Sequence, residues 1–368
     1  LPFAFVLDDL NLRPRNRSMR AYLLTGYGTV ADKVRLAEIA DPVAGAGEVV
    51  IDIHAASLNP IDFKLVHGAL KRISKYKLPR GIGFDASGVV RSVGPGASKF
   101  KPGDAVYVRA SRDTIGTFAE RIALSEKLVA PKPATISHAE AASLPLVGLT
   151  TLQGFGRAGA RAGQRILIHA GSGGVGSFAV QYAKHLGLHV TSTTSFKNAD
   201  FVKSLGADRV IAYDRENYLE QGGGYDIVYD TLGGAFTVDA FKVAKRGGVV
   251  ISLSGPPDRD FARREGAGLL VRVAVWLMGR RGLRRQRQGR RGLCLFLHRI
   301  ERRSAARHRR IGRVRRDQAG DRPRIRIREI AGGARLSRSR PGARQGRAEG
   351  ALTPSYSRSS TIACTCRP

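Results

Sequence analysis

Six residues, Gly171-Ser172-Gly173-Gly174-Val175-Gly176, follow the short apolar run Arg165–His169 and precede a helix-periodic stretch, Phe178–Leu186, that Gly187 ends. A G-x-G-x-x-G string set between a strand and a helix is the signature of a dinucleotide pyrophosphate site. In that reading Gly171 allows the tight turn, Gly173 lets the main chain approach the phosphates, and Gly176 lets helix and strand pack closely. Gly174 and Val175 then lie at the helix N-terminus, where free N–H groups and the helix dipole favour anions. The choice of cofactor is made at the end of the next strand, where an NAD site usually carries an acid for the ribose 2′-hydroxyl. This chain has Thr193-Thr194-Ser195-Phe196-Lys197-Asn198 there. Hydroxyls and one ammonium, with Ser195 and Lys197 foremost, suit a 2′-phosphate, so NADPH is the expected cofactor.

The elements that must position such a site change character along the chain. Residues 19–136 read as β-rich. Glu48–Ile53 alternates as a strand should, Asp85–Val93 is a second strand flanked by glycines, and Lys101-Pro102-Gly103-Asp104 turns into Ala105–Val108. Short strands with Gly/Pro turns suggest a partly open barrel. From Ser137 strands and helices alternate, which implies a parallel sheet covered by helices, over residues 137–279. Ser137-His138-Ala139-Glu140 has the pattern of a capping box opening the first helix. The fold class expected is therefore α/β, a Rossmann-type parallel sheet domain beside a β-rich domain.

The formal charge of +32 is unevenly spread. From Arg280 onward there are 27 Arg, no Lys and 5 acidic residues, and all three cysteines, Cys294, Cys364 and Cys366, lie there too. A disulfide framework or thiolate metal site is thereby excluded from the first 279 residues, which fits a reducing, cytoplasmic setting. The longest apolar stretch, Leu269–Met278, is too short to span a bilayer and contains Arg272. The LPFAFVL start lacks a positive leader, so no secretory signal is read; Met19 has the look of a natural start, with residues 1–18 an upstream extension. The Arg-rich tail also raises nucleic-acid binding as an alternative, but it has few aromatics to stack bases and no specific nucleic-acid partner is expected.

Several motifs recur in one order over residues 19–279: Ala56-Ser57-Leu58-Asn59-Pro60-Ile61-Asp62, Gly83-Phe84-Asp85-Ala86-Ser87-Gly88, Gly103-Asp104, Leu149-Thr150-Thr151, the glycine loop, Leu205-Gly206-Ala207-Asp208, and Tyr229-Asp230-Thr231-Leu232-Gly233-Gly234. Jointly they resemble the zinc-independent quinone-oxidoreductase branch of the medium-chain dehydrogenase/reductase superfamily. The resemblance implies a GroES-like catalytic domain of barrel type, an inserted Rossmann domain and a homodimer. It implies NADPH-dependent hydride transfer to a quinone or an α,β-unsaturated carbonyl, acceptors that need no Lewis acid; a non-catalytic NADPH-binding sensor is the alternative. Zinc-using relatives carry Cys near the position of Asn59 and Gly-His-Glu in place of Gly83-Phe84-Asp85, so no metal is expected. By resemblance Asn59 orients the acceptor or stabilises its oxyanion, supported by Asp62 and Lys64. His67 is a further pocket candidate. Thr150 and Thr151 are expected to open a helix near the nicotinamide ribose and Tyr213 to lie near the adenosine. Leu232 and Gly233 are expected to bind the cofactor, and Ser254 and Gly255 to close over its nicotinamide side.

Beyond about Arg280 the pattern does not continue. Relatives place a closing segment there, and reading the codons one base later makes its expected run available from Gln318 to Ile325. A shifted reading frame, with residues 280–368 a disordered, positively charged tail, is the expectation that follows.

Overall fold

The computed structural model describes residues 18–69, Lys71 and 76–254, together with the backbone alone of 293–296 and 363–365. The first elements are β1 (Ser18–Leu24), α1 (Val30–Lys33), β2 (Val34–Ala40), β3 (Glu48–Ser57), α2 (Pro60–Val66), β4 (Arg80–Gly81), β5 (Asp85–Val93), β6 (Ala105–Arg109), β7 (Arg121–Ser125) and β8 (Val129–Pro131). They form antiparallel sheets: β2-β1-β4, and a larger one in which β3 pairs β5 and β7 while β6 links β5 to β8. Alternate residues point inward, and Val49, Ile51, Ile53, Val90, Val106, Val108, Ile122 and Leu124 make one core.

Two helices connect this part to the next, α3 (His138–Ala142) and α4 (Pro145–Ala158). The capping box holds as read: Ser137 Oγ accepts from the Glu140 main-chain N–H at 3.2 Å, and Glu140 Oε2 accepts from the Ser137 N–H at 2.8 Å. Thr150 and Thr151 do not open a helix. They lie in the middle of α4, which starts at Pro145. A proline at the first helical position has no N–H to leave unpaired and its φ is already helical, so it sets the start five residues earlier than the threonines suggested.

The remaining elements alternate: β9 (Arg165–Ile168), α5 (Gly174–His185), β10 (His189–Thr194), α6 (Ala199–Ser204), β11 (Arg209–Ala212), β12 (Tyr225–Asp230), α7 (Ala235–Val243), β13 (Ala244–Ser252) and the short β14 (Leu293–Phe296). The sheet runs β11-β10-β9-β12-β13-β14, parallel throughout. Strand order reverses between β9 and β12, which opens the crevice where doubly wound sheets take their ligands. Both faces are covered. Ile166 and Ile168 face Ala179, Val180 and Ala183 of α5, whereas Leu167, between them, faces the other side with Val228, Val250 and Val243. This architecture is the α/β class expected, with its β-rich companion.

Two short strands come from the segment expected to lack regular structure, β14 at the sheet edge and β15 (Ala363–Thr365), antiparallel to β3. The rest of the Arg-rich tail, its reading frame, Gly255 and most of the N-terminal extension lie outside the described residues. Among the described residues no helix is long and apolar enough to cross a membrane.

Candidate active site

The glycine loop is built by contacts the sequence only partly announces. Ala170, not a glycine, takes the left-handed conformation at the end of β9, with φ 54°. Its N–H donates to Thr193 Oγ1 at 3.2 Å, and its carbonyl accepts from the Gly173 N–H at 2.9 Å. Gly171 is required for space rather than for turning: a Cβ there would sit 2.1 Å from Ser192 Oγ on the neighbouring strand. The tight-turn role expected of Gly171 therefore passes to Ala170. Gly176 is where helix meets loop, since a Cβ would lie 2.1 Å from the Ala170 carbonyl oxygen. Gly173 precedes α5 in extended conformation, and no side chain caps the helix. The first N–H groups of α5, from Gly174 and Val175, are thus left for an outside acceptor, and pyrophosphate oxygens fit them.

At the sheet's C-terminal edge the hydroxyls form a net. Thr194 Oγ1 donates to Ser172 Oγ at 2.9 Å, and Asn198 Nδ2 donates to Ser172 Oγ at 3.2 Å and to Ser195 Oγ at 3.1 Å. The end of β11 is tied alongside: the Tyr213 N–H donates to Thr194 O at 2.9 Å and Asp214 Oδ1 accepts from the Phe196 N–H at 2.8 Å. Ser195, exposed Lys197 and exposed Tyr213 are thereby brought to one place. Arg215 joins them with its guanidinium 3.1 Å above the Phe196 ring. Neither Arg215 nor Asn198 was singled out from the sequence, although both lie just past strand ends that border the crevice. Hydroxyls and two cations thus share this edge, and these residues could hold the ribose end of NADPH.

The turn after β12 hangs on Asp230. Its Oδ1 accepts from the Leu232 and Gly233 N–H groups, both at 2.9 Å, and its Oδ2 accepts from Ser252 Oγ at 2.8 Å and from Thr237 Oγ1. Gly233, at φ 80°, is in contact with Ser254, where a Cβ would be 2.7 Å from the serine Cβ. Leu232, Gly233 and Ser254 are therefore gathered. His169, read from the sequence as an ordinary strand residue, is fully buried beside Tyr218 and Phe236. Burial pushes its imidazole down to about 4.

On the β-rich side, Asn59 precedes α2 and is buried. Its main-chain N–H donates to Asp62 Oδ2 at 2.6 Å. Its Nδ2 donates to Asp85 Oδ2 at 3.1 Å and to Ser57 O at 3.4 Å, so the amide donors are turned inward and Oδ1 is the atom left to offer. Asp85 Oδ2 also accepts the Leu146 N–H at 3.1 Å, which joins this cluster to the start of α4. Across the strand pair from Asp85 stands Arg109, its guanidinium 4.7 Å from the centre of the Phe84 ring. Asp62 and Asp85 are both raised to about 7, chiefly by burial, with the Arg109 charge opposing the rise. Burial pulls Arg109 down in turn. Lys64 is exposed and two positions past Asp62, about 200° round the helix, so it does not join them. His67 is exposed as well, its Nδ1 2.8 Å from Phe63 O. Thr151 is buried on α4 with its hydroxyl toward that of Tyr229, and Thr150 is half-buried beside it.

The acid pair gives a stability prediction with a definite sign. Both groups have an ordinary value of 3.8 and a folded value near 7, so the folded chain binds more protons between those limits. Stability from this source is complete below about pH 4 and is lost as pH rises through 7. Urea unfolding across that window should show Asp62→Asn removing part of the decline; an unchanged slope would refute the assignment.

With the geometry in place, comparison with known proteins is decisive. Residues 45–134 match the alcohol dehydrogenase GroES-like domain and residues 174–272 the zinc-binding dehydrogenase domain. The chain is 38% identical over 276 residues to a 2-methylene-furan-3-one reductase of Solanum lycopersicum, covering 70% of this chain and 69% of that one. It is 37% identical over 273 residues to a chloroplastic NADPH-dependent alkenal/one oxidoreductase of Arabidopsis thaliana, covering 71% and 70%. The chain belongs to the medium-chain dehydrogenase/reductase superfamily, among its quinone and alkenal oxidoreductases. The fold agrees with a superfamily structure, the quinone oxidoreductase of Coxiella burnetii, at TM-score 0.65 and 30% identity, over 80% of this chain and 87% of that one. Among the described residues no group of three or more His, Cys, Asp or Glu side chains is placed to hold a metal ion. Phe84 lies beneath a guanidinium, and Asn59 and Asp85 are bonded to each other. A divalent cation placed beside Arg109 meets like charge and lacks soft or imidazole ligands, so the residues present do not fit it.

Proposed function

We infer that this chain is an NADPH-dependent oxidoreductase that reduces a quinone or an α,β-unsaturated carbonyl without a metal. The observation that carries the reading is the strand-end cluster of Ser195, Lys197, Tyr213 and Arg215 beside the uncapped N-terminus of α5. When bound, NADPH supplies the hydride and the protein supplies orientation. The α5 N–H groups would hold the pyrophosphate, and the hydroxyl net with Lys197 the 2′-phosphate. Leu232, Gly233 and Ser254 would border the nicotinamide side. Asn59, fixed from both sides by Asp62 and Asp85, would offer Oδ1 to a donor on the bound molecule, with Thr150 and Thr151 on the neighbouring α4. Lys64, on the solvent face of α2, would act at the rim. Acceptors of this kind take hydride without a Lewis acid, which suits a site where no group of three metal-binding side chains stands among the described residues. Similarity to an NADPH-dependent alkenal/one oxidoreductase and to a quinone-oxidoreductase homolog supports the acceptor class.

Fluorescence titration with NADPH and NADH tests the cofactor. Lys197→Ala should weaken NADPH about tenfold, the loss of one charge-assisted contact of roughly 1.5 kcal/mol, and leave NADH nearly unchanged. Ser195→Asp should reverse the preference by setting a carboxylate against the 2′-phosphate. Equal losses for the two cofactors would refute the placement. A homodimer and a cytoplasmic setting belong to the same proposal; sedimentation and fractionation check them.

A further inference from the structure

Reducing a quinone or an enone leaves an oxygen that has gained charge and must gain a proton. The cluster around Asn59 holds the means to supply it. Each of its two carboxyls has one oxygen held by donors: Asp62 Oδ2 by the Asn59 N–H, and Asp85 Oδ2 by Asn59 Nδ2 and the Leu146 N–H. In each the other oxygen, Oδ1, is buried with no partner among the described residues. Asp62 is 3% exposed and Asp85 0%. An ionised carboxylate with a bare oxygen in such a place is costly, whereas a protonated one is a donor awaiting an acceptor.

Charge counting fixes how many protons the cluster keeps. Two carboxylates face one buried guanidinium, that of Arg109, and the other groups acting on Arg109 are Arg112 and Tyr76. Ionising both acids leaves an unbalanced negative charge in a dry site; neutralising both leaves Arg109 unbalanced. One proton between the two is the balanced state. Asp85 is the better placed to stay ionised. It has two N–H donors, the N-terminus of the 14-residue α4 and Arg109 as its cross-strand neighbour. Asp62 has one donor and the slightly more open position.

We propose that Asp62 and Asp85 store a single proton across Asn59 and that Asp62 Oδ1 delivers it to the oxygen of the reduced acceptor. The proposal rests on the oxidoreductase reading above. As the acceptor gains hydride at carbon, its π pair moves to oxygen. The Asp62 O–H bond breaks while the O–H bond of the enol or quinol forms. Asp62 is left a carboxylate, held by the Asn59 N–H, and regains its proton from water when product leaves. Arg109 is a positioning residue that keeps Asp85 ionised and so keeps the proton on Asp62.

Infrared spectroscopy of the full chain across pH tests the store, and kinetics test the delivery. The wild type should show a protonated carboxylic-acid band at about pH 7 that fades at higher pH. Asp62→Asn, which can still accept from Asn59, should abolish the band, and Arg109→Gln should make it persist to higher pH. No band in the wild type, or one that Asp62→Asn leaves intact, overturns the stored proton. With NADPH and either 1,4-naphthoquinone or 3-buten-2-one, Asp62→Asn should lower kcat on the order of 10²-fold with KM for NADPH unchanged, and should flatten the alkaline fall of kcat. Unchanged kcat and pH profile overturn the delivery. A wild-type chain that binds NADPH yet oxidises it with neither acceptor defeats the oxidoreductase reading and the delivery with it. A missing band in an active chain defeats the store alone.

Discussion

Gly176→Ala is expected to cut NADPH affinity roughly 10²-fold and to lower stability by about 1–3 kcal/mol or more. The reason is geometric. The added Cβ would lie 2.1 Å from the Ala170 carbonyl oxygen, 2.8 Å from its carbon and 2.9 Å from Gly171 Cα. All three are main-chain atoms, so no side chain can swing aside. Either α5 moves outward or the loop moves off its strand, and either shift misaims the N–H groups at the pyrophosphate. Gly156→Ala is the control. That glycine sits exposed inside α4 with open space around its Cβ position and no positive φ. Alanine there should raise stability by about 1 kcal/mol, the helix-propensity difference. Fluorescence titration and thermal melts of both variants decide the matter. A Gly176→Ala chain that binds NADPH as tightly as the parent would show that the loop tolerates what its geometry forbids.

The same loop shows what a sequence can and cannot disclose. The glycine string, the strand before it and the helix after it are local patterns, and they were legible. The run Arg165–His169 was legible only as a short apolar strand; that Ile166 and Ile168 turn to one side of the sheet and Leu167 to the other is seen in the structure. The left-handed turn at Ala170 was not legible, because alanine has no intrinsic taste for positive φ. The conformation is imposed from outside, by Thr193 Oγ1 on a strand more than twenty residues away. The acid cluster is the same case. Asp62 was singled out with Asn59, but Arg109 becomes part of the site only through the register that sets it opposite Asp85. Its sequence neighbourhood, the end of an ordinary alternating strand, gives no sign of a buried guanidinium. The helix start that the resemblance implied at Thr150 and Thr151 is displaced for a different reason: Pro145, with the stronger local preference, had already made one.

Asp230→Ala is expected to be the most destabilising of the single substitutions at the site, by roughly 2–6 kcal/mol. Asp230 is fully buried, and its carboxylate accepts from two main-chain N–H groups and two hydroxyls. The hydroxyls have a second choice, since Thr237 Oγ1 and Ser252 Oγ lie 3.0 Å apart and can bond to each other. The Leu232 and Gly233 N–H groups have none in the carboxylate's absence. Each stranded donor costs about 1–3 kcal/mol, which gives the range. Those two bonds also hold a turn whose next residues, Gly233 and Gly234, both have positive φ, at 80° and 60°. Once released, such a turn has many conformations open to it, and Gly233 need no longer press against Ser254. NADPH affinity should therefore fall even at temperatures where the variant stays folded. Asp230→Asn separates the two effects. It retains one oxygen that can accept from the N–H pair and turns its amide toward the hydroxyls, so it should keep more stability than alanine and most of the cofactor affinity. Urea unfolding gives the first quantity and fluorescence titration the second. If the alanine variant unfolds within about 1 kcal/mol of the parent, the carboxylate is not what shapes the turn after β12.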